Sequence, residues 1–343
     1  MAGRDIDTLI LVNNAISARM AEVAIESDGV DLSRTMVFLL RNINPPWVAD
    51  AAAVSRYPEK PRETVWEQWR FTSFFARAAR QLKAALATGH IRRIYIVNVD
   101  NVLSNHVVQW AADHPEVDIV LLVEGIFNFQ DITVKNRARW RWMVKPVMSR
   151  MLRLRWRTPA GHLGGADEPA VRRVVSFTAH GLKSPPEKID VMPWPVVTPV
   201  APPRADTLLI AHTGLWKWMS PEDYMPIARG FADWVAAQGF QRILVKDHPF
   251  IPTGPLADML PPHEHITGRG SLEDMAADID AATLAGTCCT GLVTLKLMRP
   301  DLRCVDFGSN AYCETAYHGD HSVEALLIGA GVELVPLART SPA

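Results

Sequence analysis

Short hydrophobic runs alternate with longer amphipathic stretches along most of the chain. In the first half, four runs rich in aliphatic and β-branched residues have the length of buried strands, and they cover 9–12, 36–40, 94–97 and 117–123. The spacing of apolar residues between and after them predicts helices over about 15–27, 64–87 and 103–114. This alternation favours a parallel sheet covered by helices on both faces.

The composition changes between 184 and 203. Seven prolines fall in 185–203, and proline opposes both helices and central strands. We therefore predict a linker at 185–203 between an N-terminal Rossmann-like domain, 1–184, and a C-terminal one, 204–343. The alternation then restarts, with strands at 207–211, 242–245, 282–285 and 304–307, and helices at 221–238, 271–278, 291–298 and 322–331. Two such halves predict the α/β GT-B architecture, with parallel sheets facing a central cleft.

The overall composition narrows the class of protein. A chain of 343 residues with 48% hydrophobic residues is long enough for two domains, and its net charge of −1 gives no reason to expect nucleic-acid binding. We see no secretory signal and no apolar run of membrane-spanning length, so a cytoplasmic protein is expected. The four cysteines form no Cys-x-x-Cys pair, in keeping with a reducing compartment.

The charge is unevenly spread, because 132–166 contains no acidic residue and nine basic ones. Tryptophans and other apolar residues alternate with the basic residues of 135–157. The segment has three interpretations: a solvated helix with a core-facing stripe, an interfacial segment that contacts an anionic acceptor or the inner membrane surface, and a nucleic-acid contact. No nucleic-acid-binding motif accompanies the charge, which disfavours the third.

Two motifs at predicted strand ends carry acid–base chemistry. Glu124 and Gly125 follow the fourth predicted strand, at the edge where open α/β sheets bind ligands, and a carboxylate there can act as a general base. Glycine lets the backbone turn sharply beside it. In the second half, Lys246-Asp247-His248-Pro249 ends a strand; Pro249 restricts the backbone of His248, a suitable general acid, and Lys246 adds positive charge. For both motifs, an ordinary surface turn is the competing interpretation.

Small residues mark two further turns of the second half. The segment 286–291, Gly-Thr-Cys-Cys-Thr-Gly, follows a strand and opens a helix, so Thr287 or Thr290 and the helix N-terminus form a candidate phosphate site; a threonine N-cap is the simpler explanation. His212, Thr213 and Gly214 follow another strand and could contact a nucleotide, or form a plain glycine turn.

No metal site is predicted. His263 and His265 stand two residues apart in a proline-rich loop, which is a weak ligand pattern. Two Asp-x-Asp triplets, 5–7 and 278–280, do not lie at the carboxyl end of a predicted strand and are interpreted as solvated turns.

Taken in order, these motifs resemble those of the bacterial GT-B sialyltransferases and polysialyltransferases, including their lipooligosaccharide relatives. The shared pattern is an acidic pair before glycine, a His-Pro dipeptide and a downstream pair of hydroxyl residues, and the opening run 9–15 is also similar. The resemblance spans most of the chain through very short motifs. Two positions depart from it: Val123 replaces the first acid, and Cys288 and Cys289 separate Thr287 from Thr290.

The resemblance implies an inverting transfer of sialic acid, or a related nonulosonic or ulosonic sugar, from its CMP conjugate to a glycan, lipooligosaccharide or capsule acceptor. Glu124 would be the general base and His248 the general acid, with Lys246, Pro249, Thr287, Thr290, His212, Thr213 and Gly214 at the donor. No cofactor or metal is expected, since CMP carries a single phosphate. The alternatives are a transferase for Kdo or another CMP sugar, a GT-B-like nucleotide-sugar epimerase, and a non-catalytic nucleotide-binding scaffold.

Overall fold

The computed structural model describes most of the chain and divides it into two compact units. The described residues are 5–41, 43–57, 65–130, 132–133, 139–217, 219–248, 251, 254–266, 270–317 and 322–337, with backbone alone for 65–72, 139–142 and 314–317. The first unit comprises Met1–Asn128 and Ile132–Met192, and the second comprises Phe129–Asp131 and Pro193–Ala343. The chain thus passes into its C-terminal unit at Pro193, within the predicted linker.

The first unit is a parallel seven-stranded sheet with the order β3-β2-β1-β4-β5-β6-β7. Its strands are β1 (Thr8–Val12), β2 (Thr35–Leu39), β3 (Ala53–Arg56), β4 (Arg93–Ile96), β5 (Asp118–Leu122), β6 (Arg173–Ser176) and β7 (Ile189–Val191). Its helices are α1 (Ala15–Asp28), α2 (Val65–Leu86), α3 (Val102–Ala111) and α4 (Arg139–Met151). Every residue of β1 and β2 is buried, as expected for strands covered on both faces.

The second unit is a parallel six-stranded sheet with the order β10-β9-β8-β11-β12-β13. Its strands are β8 (Arg204–Ala211), β9 (Arg242–Lys246), β10 (Glu264–Ile266), β11 (Ala281–Gly286), β12 (Arg303–Phe307) and β13 (Glu333–Val335). Its helices are α5 (Pro221–Gln238), α6 (Thr290–Met298), α7 (Ser309–Tyr317) and α8 (Ser322–Gly329). Local signals set the limits of α5: Ser220 caps its first turn, and Gly239 ends it in the left-handed conformation, with φ 71°.

Several elements differ from the sequence-based expectations. The strands β3, β6, β7, β10 and β13 are three or four residues long, too short for their pattern to stand out, so Glu124 follows the fifth strand of its sheet and not the fourth. The helix predicted at 271–278 is wrong, because only a 3₁₀ turn, Glu273–Met275, forms there. Buried Arg299 fixes the path of the chain just after this turn, since its guanidinium donates to the carbonyl oxygens of Ala276 and Ile279 at 2.7 and 3.3 Å.

Candidate functional site

A carboxylate held by two asparagines lies at the carboxyl edge of the first sheet. Asn13, Asn98 and Glu124 follow β1, β4 and β5, which are neighbours in the sheet. The Asn98 amide donates to Glu124 Oε1 at 2.9 Å, and the Asn13 amide donates to Oε2. Both carboxylate oxygens therefore accept from neutral donors, and Glu124 itself stays partly exposed to solvent while the two asparagines are buried.

The two asparagines are themselves held in place. The Asn98 Oδ1 atom accepts from the backbone N–H of Asn101 at 3.1 Å, and Asn13 Oδ1 accepts from the Ser17 hydroxyl at 3.3 Å. Since each amide oxygen is occupied by a donor, each amide nitrogen is left to face the carboxylate. The network fixes the orientation of both side chains around Glu124.

The backbone of Glu124 is also fixed. Its N–H donates to the Asn128 side chain at 2.8 Å, and its carbonyl accepts from Asn14, the N-cap of α1, at 2.9 Å. The next residue, Gly125, has φ 123°, a conformation that side-chain-bearing residues rarely adopt. The glycine thus permits the turn that the sequence motif predicted and leaves the carboxylate at the strand end.

The environment of Glu124 suits a general base. Burial raises the pKa of its carboxyl above the ordinary value of 4.5, and the amide hydrogen bonds from Asn13 and Asn98 act in the opposite direction. A nearby positive charge on Arg41 also lowers this pKa, and a negative charge on Asp100 raises it. A raised pKa makes the ionised carboxylate a better proton acceptor.

We expect Asn98→Ala to shift the acidic limb of the pH–rate profile to higher pH. The lost amide bond favours the ionised carboxylate, so its removal raises the pKa of Glu124 further, and the base form then appears only at higher pH. The measurement is kcat/KM against pH, with Asn44→Ala as control, since Asn44 accepts from Arg56 and not from this cluster. If the acidic limb of Asn98→Ala stays at the wild-type pH, the Asn98 hydrogen bond does not set the pKa of Glu124.

In the second unit, a chain of imidazoles and one carboxylate follows the edge formed by β8, β9 and β10. Asp247 Oδ1 lies 3.2 Å from His212 Nδ1, and Asp247 Oδ2 lies 3.4 Å from His265 Nδ1. The chain continues from His265 Nε2 to His263 Nε2 at 3.2 Å. Asp247, which the sequence motif placed only as a neighbour of His248, therefore bridges two histidines.

His212 is the buried end of this chain. Its Nδ1 faces the Asp247 carboxylate and so carries the proton, while its Nε2 has no hydrogen-bond partner in the described part of the protein. Burial lowers the pKa of His212 below 6.5, although Asp247 opposes the shift. A cavity of about 10 Å³ lined by His212, Thr213 and Thr287 adjoins it, room for about one water molecule.

The residues around His212 are tightly fitted. Thr213 donates its hydroxyl to the carbonyl oxygen of Thr287 at 3.0 Å, which ties the end of β8 to the end of β11. A Cβ on Gly214 would stand 2.3 Å from Ile251 Cδ1, so close packing requires glycine there. Thr213 and Gly214 therefore have a structural role in holding the loop that follows β8.

Lys246 and His248 flank Asp247. Lys246 is buried at the end of β9, and its ammonium donates to the carbonyl oxygen of Asp247 at 3.3 Å. His248 is partly exposed, and its carbonyl oxygen accepts from Ile251 N–H at 3.2 Å. Pro249, the remaining residue of the predicted motif, lies outside the described residues.

The turn from β11 into α6 has an unusual backbone. Cys288 has φ 48°, and its N–H donates to Asp306 Oδ1 at 2.7 Å, so this amide is not free for an external anion. Thr287 is buried, whereas Thr290 is partly exposed and is the first residue of α6. The geometry therefore favours Thr290 as the hydroxyl that an anion could reach.

Asp306 holds this turn from the strand next to β11. Besides Cys288 N–H, it accepts from Ser309 N–H at 3.3 Å. Burial raises the pKa of Asp306 to about 6, and these backbone hydrogen bonds lower it only in part. The Asp306 carboxylate therefore holds the backbone of the turn 286–291, although Asp306 itself lies outside that turn.

We expect Asp306→Asn to weaken the pH dependence of stability between about pH 4 and 7. An unfolded aspartate has a pKa near 3.9, so the raised folded value stabilises the protein fully below that pH and this contribution is lost as pH rises through about 6. The difference is about 3 kcal/mol, or several degrees in Tm. Thermal melting of wild type, Asp306→Asn and the exposed control Asp233→Asn at pH 4.5 and 7.5 measures it; equal slopes in all three would contradict it.

No group of three or more histidine, cysteine, aspartate or glutamate side chains in the described part of the chain is arranged to hold a metal ion. His263 and His265 face each other, and His263 Nδ1 also lies 2.9 Å from the carbonyl oxygen of Pro261. The four cysteines are free thiols, and burial raises the pKa of Cys289 to about 12.

The comparisons with known proteins concern the fold. No protein-family model and no curated protein sequence matches the chain. Among solved structures, an α/β-galactoside α-2,3-sialyltransferase from the luminous marine bacterium Photobacterium phosphoreum aligns with 96% of this chain and 98% of its own, at 11% identity and a TM-score of 0.52. UDP-GlcNAc 2-epimerase from Methanocaldococcus jannaschii aligns with 97% of this chain and 89% of its own, at 10% identity and a TM-score of 0.49.

Taken with the two parallel sheets, the first of these likenesses shows the fold. Each unit is a Rossmann-like α/β domain, and the chain has the GT-B fold predicted from its sequence. At 11% identity the likeness does not extend to activity.

Proposed function

We propose that this protein is an inverting glycosyltransferase that moves sialic acid, or a related nonulosonic sugar, from a CMP donor to a hydroxyl of a glycan acceptor. The observation that carries the proposal is the Glu124 carboxylate, held at a strand end by Asn13 and Asn98 with its pKa raised. A partly exposed carboxylate prepared in this way is a ready acceptor for a hydroxyl proton. The fold shared with an α-2,3-sialyltransferase supports the choice of donor.

The proposed reaction is a single displacement. Glu124 accepts the proton of the acceptor hydroxyl as its oxygen forms a bond to the anomeric carbon. The bond from that carbon to the CMP phosphate oxygen breaks, and His248 donates a proton or hydrogen bond to the departing phosphate. Attack from the face opposite the leaving group inverts the anomeric centre.

The second unit offers the proposed donor contacts. Thr290 and the N-terminus of α6 supply a hydroxyl and a partial positive charge for the phosphate, while Thr287 is buried and holds the turn through Thr213. Lys246 adds a cation at the end of β9, two residues before His248 in sequence. The Nε2 atom of His212 is buried without a hydrogen-bond partner in the described part of the chain, and we assign it to a bound water in the adjoining cavity.

The test is a panel of nucleotide sugars. The protein is incubated with CMP-sialic acid, CMP-Kdo and two UDP sugars, with and without a lactose-type acceptor, while CMP or UDP release and the glycan product are measured. Acceptor-dependent CMP release supports the proposal, and its sugar dependence separates sialic acid from Kdo. Epimerised UDP sugar without CMP release would assign a nucleotide-sugar epimerase, and binding of a donor without turnover would assign a non-catalytic nucleotide-binding scaffold.

A further inference from the structure

Helix α4 presents an apolar face to solvent. Met143, Val144, Val147 and Met151 are exposed to 69, 52, 59 and 77%, and together they are half of the large hydrophobic residues found exposed in the described part of the chain. At about 100° per residue, the four lie within an arc of roughly 100° on one side of the helix. A surface helix of a soluble domain normally shows its polar side to water. In α4 the side that faces water is apolar, the reverse of the usual arrangement.

The opposite side of α4 holds the helix to the rest of its unit. Ser149 is fully buried, and Lys145 pairs with Asp100 beyond the end of β4. At the end of the helix, the Lys83 ammonium donates to the carbonyl oxygen of Leu152 at 3.0 Å. Because these contacts fix which side faces inward, the apolar side does not belong to the core of the unit.

The charge around this face is positive. Among the described basic residues of the segment, Lys145, Arg155 and Arg157 pair with acids, whereas exposed Arg150 and Arg153 make no ion pair with a described residue. The segment 132–166 supplies no acidic residue of its own. An apolar strip with unpaired arginines on the same helix and just after its end matches an anionic bilayer, in which a layer of phosphates adjoins the acyl chains.

No helix in the described ranges is both long enough and apolar enough to cross a membrane. We propose that α4 lies flat in the interface of an anionic lipid bilayer, with Met143, Val144, Val147 and Met151 among the acyl chains and Arg150 and Arg153 at the lipid phosphates. This contact is independent of the proposed transferase reaction, since it uses none of the residues assigned to it.

The experiment is flotation of the full-length protein with phosphatidylcholine vesicles that contain 0 or 30% phosphatidylglycerol, at low and high salt. We expect binding to the anionic vesicles only, weakened by salt because exposed charges are screened. The double variant Arg150→Gln/Arg153→Gln should bind more weakly by about fivefold per arginine. The triple variant Met143→Ser/Val147→Ser/Met151→Ser should lose about tenfold per side chain.

The matched control is the triple variant Val196→Ser/Val200→Ser/Ile328→Ser, whose residues are equally exposed but lie outside α4. All variants change exposed side chains, so unchanged circular dichroism and Tm are expected. Absence of binding, or equal loss in the control triple, would overturn the proposal. So would a dimer in light scattering that only the α4 triple abolishes, because the face would then belong to a second copy. Transfer to a soluble acceptor should be the same in wild type and both triples, which separates this test from that of the reaction.

Discussion

Glu124→Gln is expected to lower the transfer rate by about 10²–10⁴-fold, the usual contribution of a general base. Glutamine has nearly the same shape, but its amide cannot accept the hydroxyl proton. Its NH₂ group would also face the NH₂ group of Asn13 or Asn98, and two donors cannot form a hydrogen bond. The measurement is the initial rate of product formation from the CMP donor and a saturating acceptor.

The matched control is Glu116→Gln, an exposed glutamate just before β5. It should transfer at the wild-type rate, and circular dichroism should show all three proteins folded. The wild-type rate should also fall as pH drops through the pKa of Glu124, which lies above 4.5, because protonation removes the base. Wild-type transfer by Glu124→Gln would end the assignment of Glu124 as base.

His248→Ala should reduce transfer by a similar factor of about 10²–10⁴, through a different step. Loss of a proton donor to the leaving phosphate slows cleavage of the donor itself, so CMP release in the absence of acceptor should fall as well. In Glu124→Gln, by contrast, acceptor-free CMP release should fall much less than transfer. Without an acceptor the donor is hydrolysed by water, and this reaction involves no acceptor hydroxyl for Glu124 to deprotonate. The two readouts therefore separate the proposed acid from the proposed base.

His180→Ala provides the control, because His180 is an exposed histidine of the first unit. A second variant, His248→Asn, keeps a hydrogen-bond donor, and partial recovery of CMP release would show that donation of a hydrogen bond, more than full proton transfer, is the main contribution. If His248→Ala lowers transfer but leaves acceptor-free CMP release unchanged, His248 does not act on the leaving group.

Much of the fold follows from local patterns in the sequence. The long apolar strands β1, β2, β5 and β8 could be predicted because a strand covered on both faces is hydrophobic throughout. The strands β3, β6, β7, β10 and β13 could not, since each has only three or four residues; β4 is equally short but overlaps the apolar run 94–97 and is predicted. The turn Glu273–Met275 shows a second limit: the residues after it are held by Arg299, which is 23 residues from Ala276 in sequence and so lies outside any local pattern.

For the candidate site, the sequence indicated Glu124 but not the residues that hold it. Asn13 and Asn98 are 85 residues apart, and asparagine at a strand end is usual in turns and helix caps. Only the order of the sheet, with β1 beside β4 and β4 beside β5, shows that these side chains meet Glu124. Asp247 was missed for a related reason, because His265 reaches it from β10, a strand of three residues.

The basic segment shows what side-chain placement adds. Its composition alone fitted a solvated helix or an interfacial one equally well. The exposed fractions of Met143, Val147 and Met151, set against buried Ser149, show which side of α4 faces water.

The edge strands of the two sheets bear on the behaviour of the protein at high concentration. At three of the four edges stand β7, β10 and β13, each three residues long. Prolines lie close to each in sequence: Pro186 and Pro193 around β7, Pro262 before β10, and Pro336 directly after β13. A short edge with prolines nearby offers few free backbone groups for pairing with another chain. The protein should therefore resist strand-mediated aggregation.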